Sequence, residues 1–306
     1  MQEARKILVL YGGNSSEREV SLKSGTAINQ ALTNLGLDSE LLDFQNNLEF
    51  DSFKLYDKIF IALHGNEGES GDLQQKLLEH NISFTGSHPQ ACRKTWDKEV
   101  CKQILQQHDI PTPPWISERK LQRNFDFQKK LAPLQPCKSF FMKPAQDGSS
   151  IDTHEIYDQE SFEKAFDKCR NTNRKFIFEQ TINTRELTVG MLGDIILPPL
   201  EISTNKAFYN YEAKYLADDT SYVLPNFDSQ KEKKLLTLAE KTFKVMECKG
   251  WARVDFVEDE NEEFYVLEVN TVPGMTSHSL LPKAAKLINI DSVSYTHLTL
   301  PTICSV

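Results

Sequence analysis

The chain has 306 residues, 39% of them hydrophobic and 26% charged, the balance of a soluble globular protein long enough for two or three modules. Its net charge is −9 with no basic block, which argues against a nucleic-acid partner, and no apolar run is long enough to span a bilayer. The N-terminus runs straight into a short apolar strand without a signal-type apolar region. The six cysteines are scattered with no C-x-x-C pair, so a reducing cytoplasm is expected rather than a disulfide frame or a zinc site.

In chain order, the pattern predicts a strand over Lys6–Tyr11, ended by Gly12–Gly13, and a helix over Val20–Leu35, stopped by Gly36. Strands follow over Ser39–Phe44 and Lys58–Leu63, then a polar glycine-bearing loop over His64–Ser70, a helix over Leu73–His80 and a short strand over Ile82–Thr85. Such alternation implies a parallel sheet covered by helices, with ligands at the carboxyl ends of the strands, where Gly12–Gly13 and His64–Gly65 fall. Trp96–His108 reads as a helix, and the proline-rich break Pro111–Pro114 behind it marks a module boundary. Phe140–Pro144 and Lys175–Glu179 read as strands around a helix over Glu160–Cys169, with the loop Ala145–Ile151 between them. Arg185–Leu192 and Ile195–Ile202 read as a hairpin, Asn205–Pro225 as a long polar loop rich in tyrosine, and Lys231–Cys248 as an amphipathic helix.

The stretch from Gly250 to Leu281 carries the most chemistry. It places Asp255, Glu268 and Asn270 on two strands joined by the acidic turn Asp259–Glu263. Hard oxygen ligands at the ends of paired strands suit Mg²⁺ bridging nucleotide phosphates. Arg253 lies two residues before Asp255 and shares its face, a good place for a cation facing a developing oxyanion or a transferring phosphoryl group.

Five weaker signals precede it. Glu17, at a helix start beside the Gly12–Gly13 turn, can meet an ammonium group or merely favour the helix dipole. His64, in its glycine-dense loop, can bind a carboxylate or be satisfied by backbone. Lys143 ends a strand before Gly148-Ser149-Ser150, which can close over phosphates, although the Walker A spacing is absent. Phe176–Gln180 can present backbone groups to an adenine and Glu179 to a donor, or be a linker strand, and Lys214 and Tyr215 can serve a substrate from the long loop.

Taken in order, Gly12–Ser21 (G-G-N-S-S-E-R-E-V-S), Ala62–Gly71 (A-L-H-G-N-E-G-E-S-G), Trp96–Lys98, Met142–Ser150, Tyr211–Tyr215 and the Gly250–Leu281 stretch resemble the D-alanine–D-alanine ligase family of the ATP-grasp superfamily, from about Ile7 to about Ile290. The resemblance implies α/β and α+β architecture: an ATP-grasp fold behind an N-terminal parallel, Rossmann-like α/β domain. It divides the chain into an N-terminal substrate-binding domain (1–95), a central subdomain (96–182) and a C-terminal catalytic and metal-binding subdomain (183–290). It implies ATP-dependent joining of two D-alanines through a D-alanyl phosphate, for peptidoglycan precursors, with two Mg²⁺ (or Mn²⁺) and in a cytoplasmic homodimer. By motif, Lys98, Lys143, Glu179 and Glu186 would bind ATP, and Asp255, Glu268 and Asn270 the metals. Arg253 and the Gly274 N–H would stabilise the acyl phosphate and the oxyanion. Glu17 would take the first ammonium, and Ser279 with the Leu280 N–H the second carboxylate. His64 and Lys214 would lie against substrate, and Ser149 and Tyr215 would tie their loops to Glu17.

Some positions depart from the family pattern. Ala145-Gln146-Asp147 stands where Ser-Arg-Glu is common, Ile151-Asp152 replaces Val-Gly, Gln180 replaces a lysine and Thr184-Arg185 replaces Gly-Pro. Residues 291–306 lack helical period, and Val293–Thr302 resembles a translated sequencing adapter, so the native ending is expected to be replaced there, uncovering apolar surface near Leu280–Ile290. Two alternatives stand beside the dipeptide ligase: a ligase taking D-lactate or another D-amino acid second, and an inactive nucleotide- or D-alanine-binding protein.

Overall fold

The computed structural model describes residues 6–44, 49–148, 151–169, 171–182, 185–203, 221–291 and 296. Three sheets organise them. The first is built from β1 (Lys6–Tyr11), α1 (Arg18–Asn34), β2 (Asp38–Asp43), a 3-10 turn at Phe50–Leu55 and β3 (Lys58–Ile61). Its order is β2-β1-β3 and both pairings are parallel, as the strand–helix alternation required. Ile82–Thr85 does not extend this sheet as a full strand. It makes one parallel bridge, Ile59 to Phe84, with Ile59 N–H donating to Ser83 O and Thr85 N–H to Ile59 O.

The His64–Ser70 segment is not wholly a loop, because Asn66–Glu69 winds into the one-turn helix α2, followed by α3 (Asp72–Glu79). The helix expected over Trp96–His108 is α5 (Lys98–Gln107), which follows α4 (Pro89–Trp96) across a break at Asp97. Asp97 has an extended backbone and its carboxylate accepts from the Glu99 and Val100 N–H groups, so it caps α5 instead of continuing α4.

The second sheet contains β4 (Trp115–Glu118), which the pattern did not signal, then α6 (Phe127–Leu131), β5 (Phe140–Pro144), β6 (His154–Ile156), α7 (Gln159–Lys168) and β7 (Phe176–Gln180). Its order is β4-β7-β5-β6, all antiparallel. α7 starts with a reciprocal Asp158–Ser161 capping box. The core of this unit is aromatic: Phe125 stacks on Phe162 and Phe178 at 4.6 and 4.8 Å between ring centres.

The third sheet runs β11-β10-β8-β12-β13, with the two-residue β9 (Ile195–Ile196) also on β8. Its strands are β8 (Arg185–Leu192), β10 (Leu200–Ser203), β11 (Ser221–Val223), β12 (Trp251–Glu258) and β13 (Phe264–Asn270). The expected second hairpin arm, Ile195–Ile202, is interrupted at Pro198–Pro199, which have no N–H to donate to a ladder. α8 (Ser229–Val245) buries Leu235 and Ala239 against one face of this sheet. α9 (Leu280–Leu287) lies against β8 at Gly190, where a β-carbon would come within 2.4 Å of Leu281. The inner residues of α9 are buried, while Leu287 and Ile288 at its end are exposed.

One hydrophobic cluster joins the first and third sheets. Ile7, Val9, Phe60 and Ala62 pack with Trp251, Met275, Leu280 and Leu281, and the Phe60 and Trp251 rings stack at 5.3 Å.

Candidate active site

β8, β12 and β13 present a shared polar face. In register, Gly190–Arg253–Asn270 and Thr188–Asp255–Glu268 form two rungs across the three strands, and Glu186 pairs with Val257 beyond them. A bulge makes this possible. Asp255 opposes Glu268 but Phe256 opposes Val266, so Leu267 is extra. The extra residue reverses the alternation: Phe264 and Val266 join the core under α8, while Glu268 and Asn270 emerge beside Asp255. Arg253 donates from Nε and a terminal nitrogen to both oxygens of Asp255, at 2.8 Å each, and Thr188 Oγ1 donates to Oδ1 at 2.6 Å. Two carboxylates opposite each other on neighbouring strands repel, and with Asn270 two residues on, its amide oxygen accepting from the Val272 N–H at 2.9 Å, they offer hard-oxygen donors of the kind Mg²⁺ takes.

A cleft partly open to solvent lies between this face and the second sheet. Lys98, Lys143, Glu179, Glu186, Asp255 and Glu268 all line it, with Phe141, Ile202, Phe256 and Leu267 as apolar walls. Lys98 opens α5 and donates to the Asp147 carbonyl at 2.6 Å, which ties it to the loop after β5. Glu179 is 1% exposed and lies between two ammonium groups. Lys143 contacts its Oε1, and Lys102 sits 2.9 Å from Oε2 as an ion pair rather than an aligned hydrogen bond. Lys102 is equally buried and donates to Thr112 Oγ1 at 2.6 Å, which in turn donates to Val266 O. Burial alone would push the Glu179 carboxyl up, but Lys102 and Lys143 outweigh it and hold it below its ordinary value. Burial pulls Lys102 down more than Glu179 restores, so its charge is held less firmly than a surface lysine's.

β7, expected near an adenine, is laddered to β4 and β5, and the Gln180 N–H donates to Pro114 O. At its end Glu179, Gln180 and Ile182 line the cleft.

A second pocket continues from the first, sharing Lys98, Asp147, Gly148 and Glu268, and adds Glu17, Glu69, Arg253 and Asn270. Glu17 holds the N-cap position of α1 without capping it. Its carboxylate is buried and turned toward the loop after β5, so that a β-carbon on Gly148 would come 2.5 Å from Oε2. Glu69 accepts from the Gly65 N–H at 2.8 Å; burial first, then the nearby Glu17 and Glu268, push its carboxyl up, with Arg253 opposing.

His64 is 3% exposed, with Nε2 3.0 Å from Ser24 Oγ and a further hydrogen bond to the Val272 backbone. Burial pulls it down to about 4 and keeps the ring neutral. Ser24 Oγ also accepts from the Met275 N–H at 3.2 Å, so His64 fastens the loop after β13 to α1 rather than opening into the pocket. In that loop Gly274 has Ser279 Oγ where a β-carbon would be, at 2.7 Å, and Ser279 Oγ accepts from the Thr276 N–H. Leu280 is the first residue of α9, where an N–H has no partner within the helix.

Thirteen of the expected site residues are thus described around these two pockets and their flanking loop. Ser149, Lys214 and Tyr215 lie outside the described residues. Sequence reasoning missed Lys102, Thr188, Ser24 and Glu69. A lysine one turn after Lys98, between the buried Cys101 and Leu105, is a charge on an apolar face and could have flagged Lys102; Ser24 and Thr188 carry no such signal.

The comparisons agree with this geometry. Residues 104–299 match the family model described as D-ala D-ala ligase C-terminus. The D-alanine–D-alanine ligase of Saccharophagus degradans is 42% identical over 289 residues, covering 94% of this chain and 90% of that protein. Among solved structures, D-alanine–D-alanine ligase from Bacillus anthracis complexed with ATP superposes with a TM-score of 0.81 at 27% identity, over 98% and 97% of the two chains. D-alanyl-alanine synthetase A from Vibrio cholerae gives 0.86 at 26%, over 99% of each. With a parallel N-terminal sheet, two antiparallel sheets flanking the cleft, and relatives of this identity over nearly its whole length, the chain belongs to the D-alanine–D-alanine ligase family of ATP-grasp enzymes.

Proposed function

We propose that this chain joins two D-alanine molecules into D-alanyl-D-alanine, converting ATP to ADP and phosphate. The observation that carries the reading is the pair of contiguous pockets sharing Lys98, Gly148 and Glu268: one lined by lysines and apolar walls, the other by carboxylates around Arg253. ATP occupies the first, its phosphates toward Lys98 and Lys143 and its adenosine toward Glu179 and Glu186. In the second, Glu17 receives the ammonium of the first D-alanine. A carboxylate oxygen of that D-alanine attacks the γ-phosphorus, the bond to the β–γ bridging oxygen breaks, and ADP leaves D-alanyl phosphate behind. The amine of the second D-alanine, its carboxylate held by Ser279 and the Leu280 N–H, then attacks the acyl carbon. Arg253 and the Gly274 N–H stabilise the oxyanion until phosphate departs. Mg²⁺ or Mn²⁺ held by Asp255, Glu268 and Asn270 would neutralise phosphate charge. Ser149 and Tyr215 would tie their loops to Glu17 and close the site against water, and Lys214 would serve the phosphate or the second carboxylate. Residues 1–95, 96–182 and 183–290 act as substrate, central and catalytic units in a cytoplasmic homodimer. A ligase for D-lactate is disfavoured, because the curated relatives at 37–42% identity are named for the dipeptide.

The test is phosphate release by the purified chain with Mg-ATP, with and without D-alanine, and mass spectrometry of the product. D-alanine-dependent phosphate with dipeptide is expected. Product formed only when D-lactate is added, or phosphate release indifferent to D-alanine, would overturn the reading.

A further inference from the structure

Among the described residues, a trio of metal-ligating side chains converges away from both pockets. Asp152 lies in the turn leading to β6, His154 begins β6, and Cys169 ends α7. One ligand atom from each lies within 4.8 Å of the others. We infer that Asp152, His154 and Cys169 bind one divalent cation of borderline softness, with Zn²⁺ the best match.

The donor set is a thiolate, an imidazole and a carboxylate, which selects Zn²⁺ or Co²⁺ over Mg²⁺. Ligand atoms around tetrahedral zinc stand roughly 3.3–3.7 Å apart, so closure needs movements of about 1 Å, with water as fourth ligand. The side chains are half-buried, so the site is screened yet reachable. One observation points to a missing ligand. His154 Nε2 is buried with no hydrogen-bond partner, an arrangement that ordinarily has a cost. On binding the cation the Cys169 thiol loses its proton to solvent and the sulfur becomes a ligand. Asp152 holds a left-handed backbone, φ 50°, and gives Oδ2 to Arg174. A carboxylate has two oxygens, so it can serve the metal and Arg174 together. Arg174 also bonds Asp147 at 2.6 Å, and Asp147 lines both pockets. The cation would therefore brace the base of the loop that carries Gly148. The spacing of cysteines along the chain hides this site, because its ligands come from a turn, a strand and a helix end.

The full-length protein, freed of metal by a chelator and kept in excess Mg²⁺ to occupy oxygen sites, is titrated with Co²⁺. Thiolate-ligated Co²⁺ gives an intense near-ultraviolet charge-transfer band that oxygen ligands do not produce. The band is expected to saturate at one Co²⁺ per chain and to bleach with Zn²⁺. It should vanish in Cys169→Ser, weaken roughly tenfold or more in affinity in His154→Gln, and persist in Cys137→Ser, which removes another half-exposed thiol. No band in the wild-type protein, or one that survives Cys169→Ser, overturns the inference. Should Cys169→Ser fail to fold, alkylation of the wild-type protein read by mass spectrometry decides instead: Zn²⁺ should protect Cys169, and unchanged labelling would sink the proposal.

Discussion

The two pockets meet at Lys98, Gly148 and Glu268 yet are held ready for opposite charges. On the nucleotide side, Lys143 and Lys102 are both occupied by Glu179, which is buried with Lys102 out of water. On the other side, Glu17, Glu69 and Glu268 crowd around Arg253, and burial with mutual repulsion pushes Glu69 toward its neutral form. The first wall has balanced its charges internally and can lend Lys143 to a phosphate without exposing a bare cation. The second is short of positive charge, which suits an incoming ammonium group or metal ion. Complementarity is thus stored as an ion-pair network in one pocket and as crowded carboxylates in the other.

Four substitutions probe this contrast. Arg253→Met removes the cation from the crowded pocket and is expected to lower turnover about 10³-fold, or ~4 kcal/mol, in the D-alanine-dependent phosphate assay; a loss below tenfold would mean that Arg253 is structural. Lys102→Met leaves Glu179 with Lys143 alone and should destabilise the fold by about 3 kcal/mol in denaturant unfolding, with part recovered in the double variant with Glu179→Gln. A drop that does not recover would place the cost in packing instead. His64 is held near 4 in the fold against an ordinary value of 6.5. The unfolded chain therefore binds more protons between those values, and stability falls as pH drops from about 6.5 toward 4. Between pH 7.5 and 5, His64→Gln should lose about 2 kcal/mol less than the wild type; equal losses would contradict a neutral buried ring. Glu17→Gln should raise the D-alanine KM about tenfold, ~1.4 kcal/mol, with the ATP KM unchanged. Equal shifts in both constants would mean that the two pockets are not charge-specialised.

The regular elements were largely legible because their periods are local: β1, α1, β5, β8 and β12 fall within a residue or two of the pattern. The misses have physical causes. Asp97 looked like part of a helix because an N-cap that is also the end of the preceding helix leaves the apolar period almost unbroken. β4 carries only half-buried residues and so lacks a strong alternation. Glu268 and Asn270 were correctly set on one face, but Phe264 and Val266 have the same parity in sequence and point the other way, since the bulge at Leu267 depends on pairing with β12. In the site, the carboxylates and Arg253 stood out by type and spacing. His64 was expected against substrate, yet its role emerges only when Ser24 and the loop around Met275, hundreds of residues apart in sequence from each other, are brought together.

The cluster that joins the first and third sheets has a temporal meaning. The three parallel strands made first rest one face on Trp251, Met275, Leu280, Leu281 and Ala284, among the last described residues to be synthesised. During translation that face has only Ile28 and Leu32 of α1, and later Leu192, Leu197, Leu200 and Ile202, against it until β12 and α9 emerge, whereas the aromatic unit around Phe162 has all its partners by residue 178. The order of assembly is therefore inverted relative to the order of synthesis: the middle of the chain can settle first, and its beginning is completed only by its end.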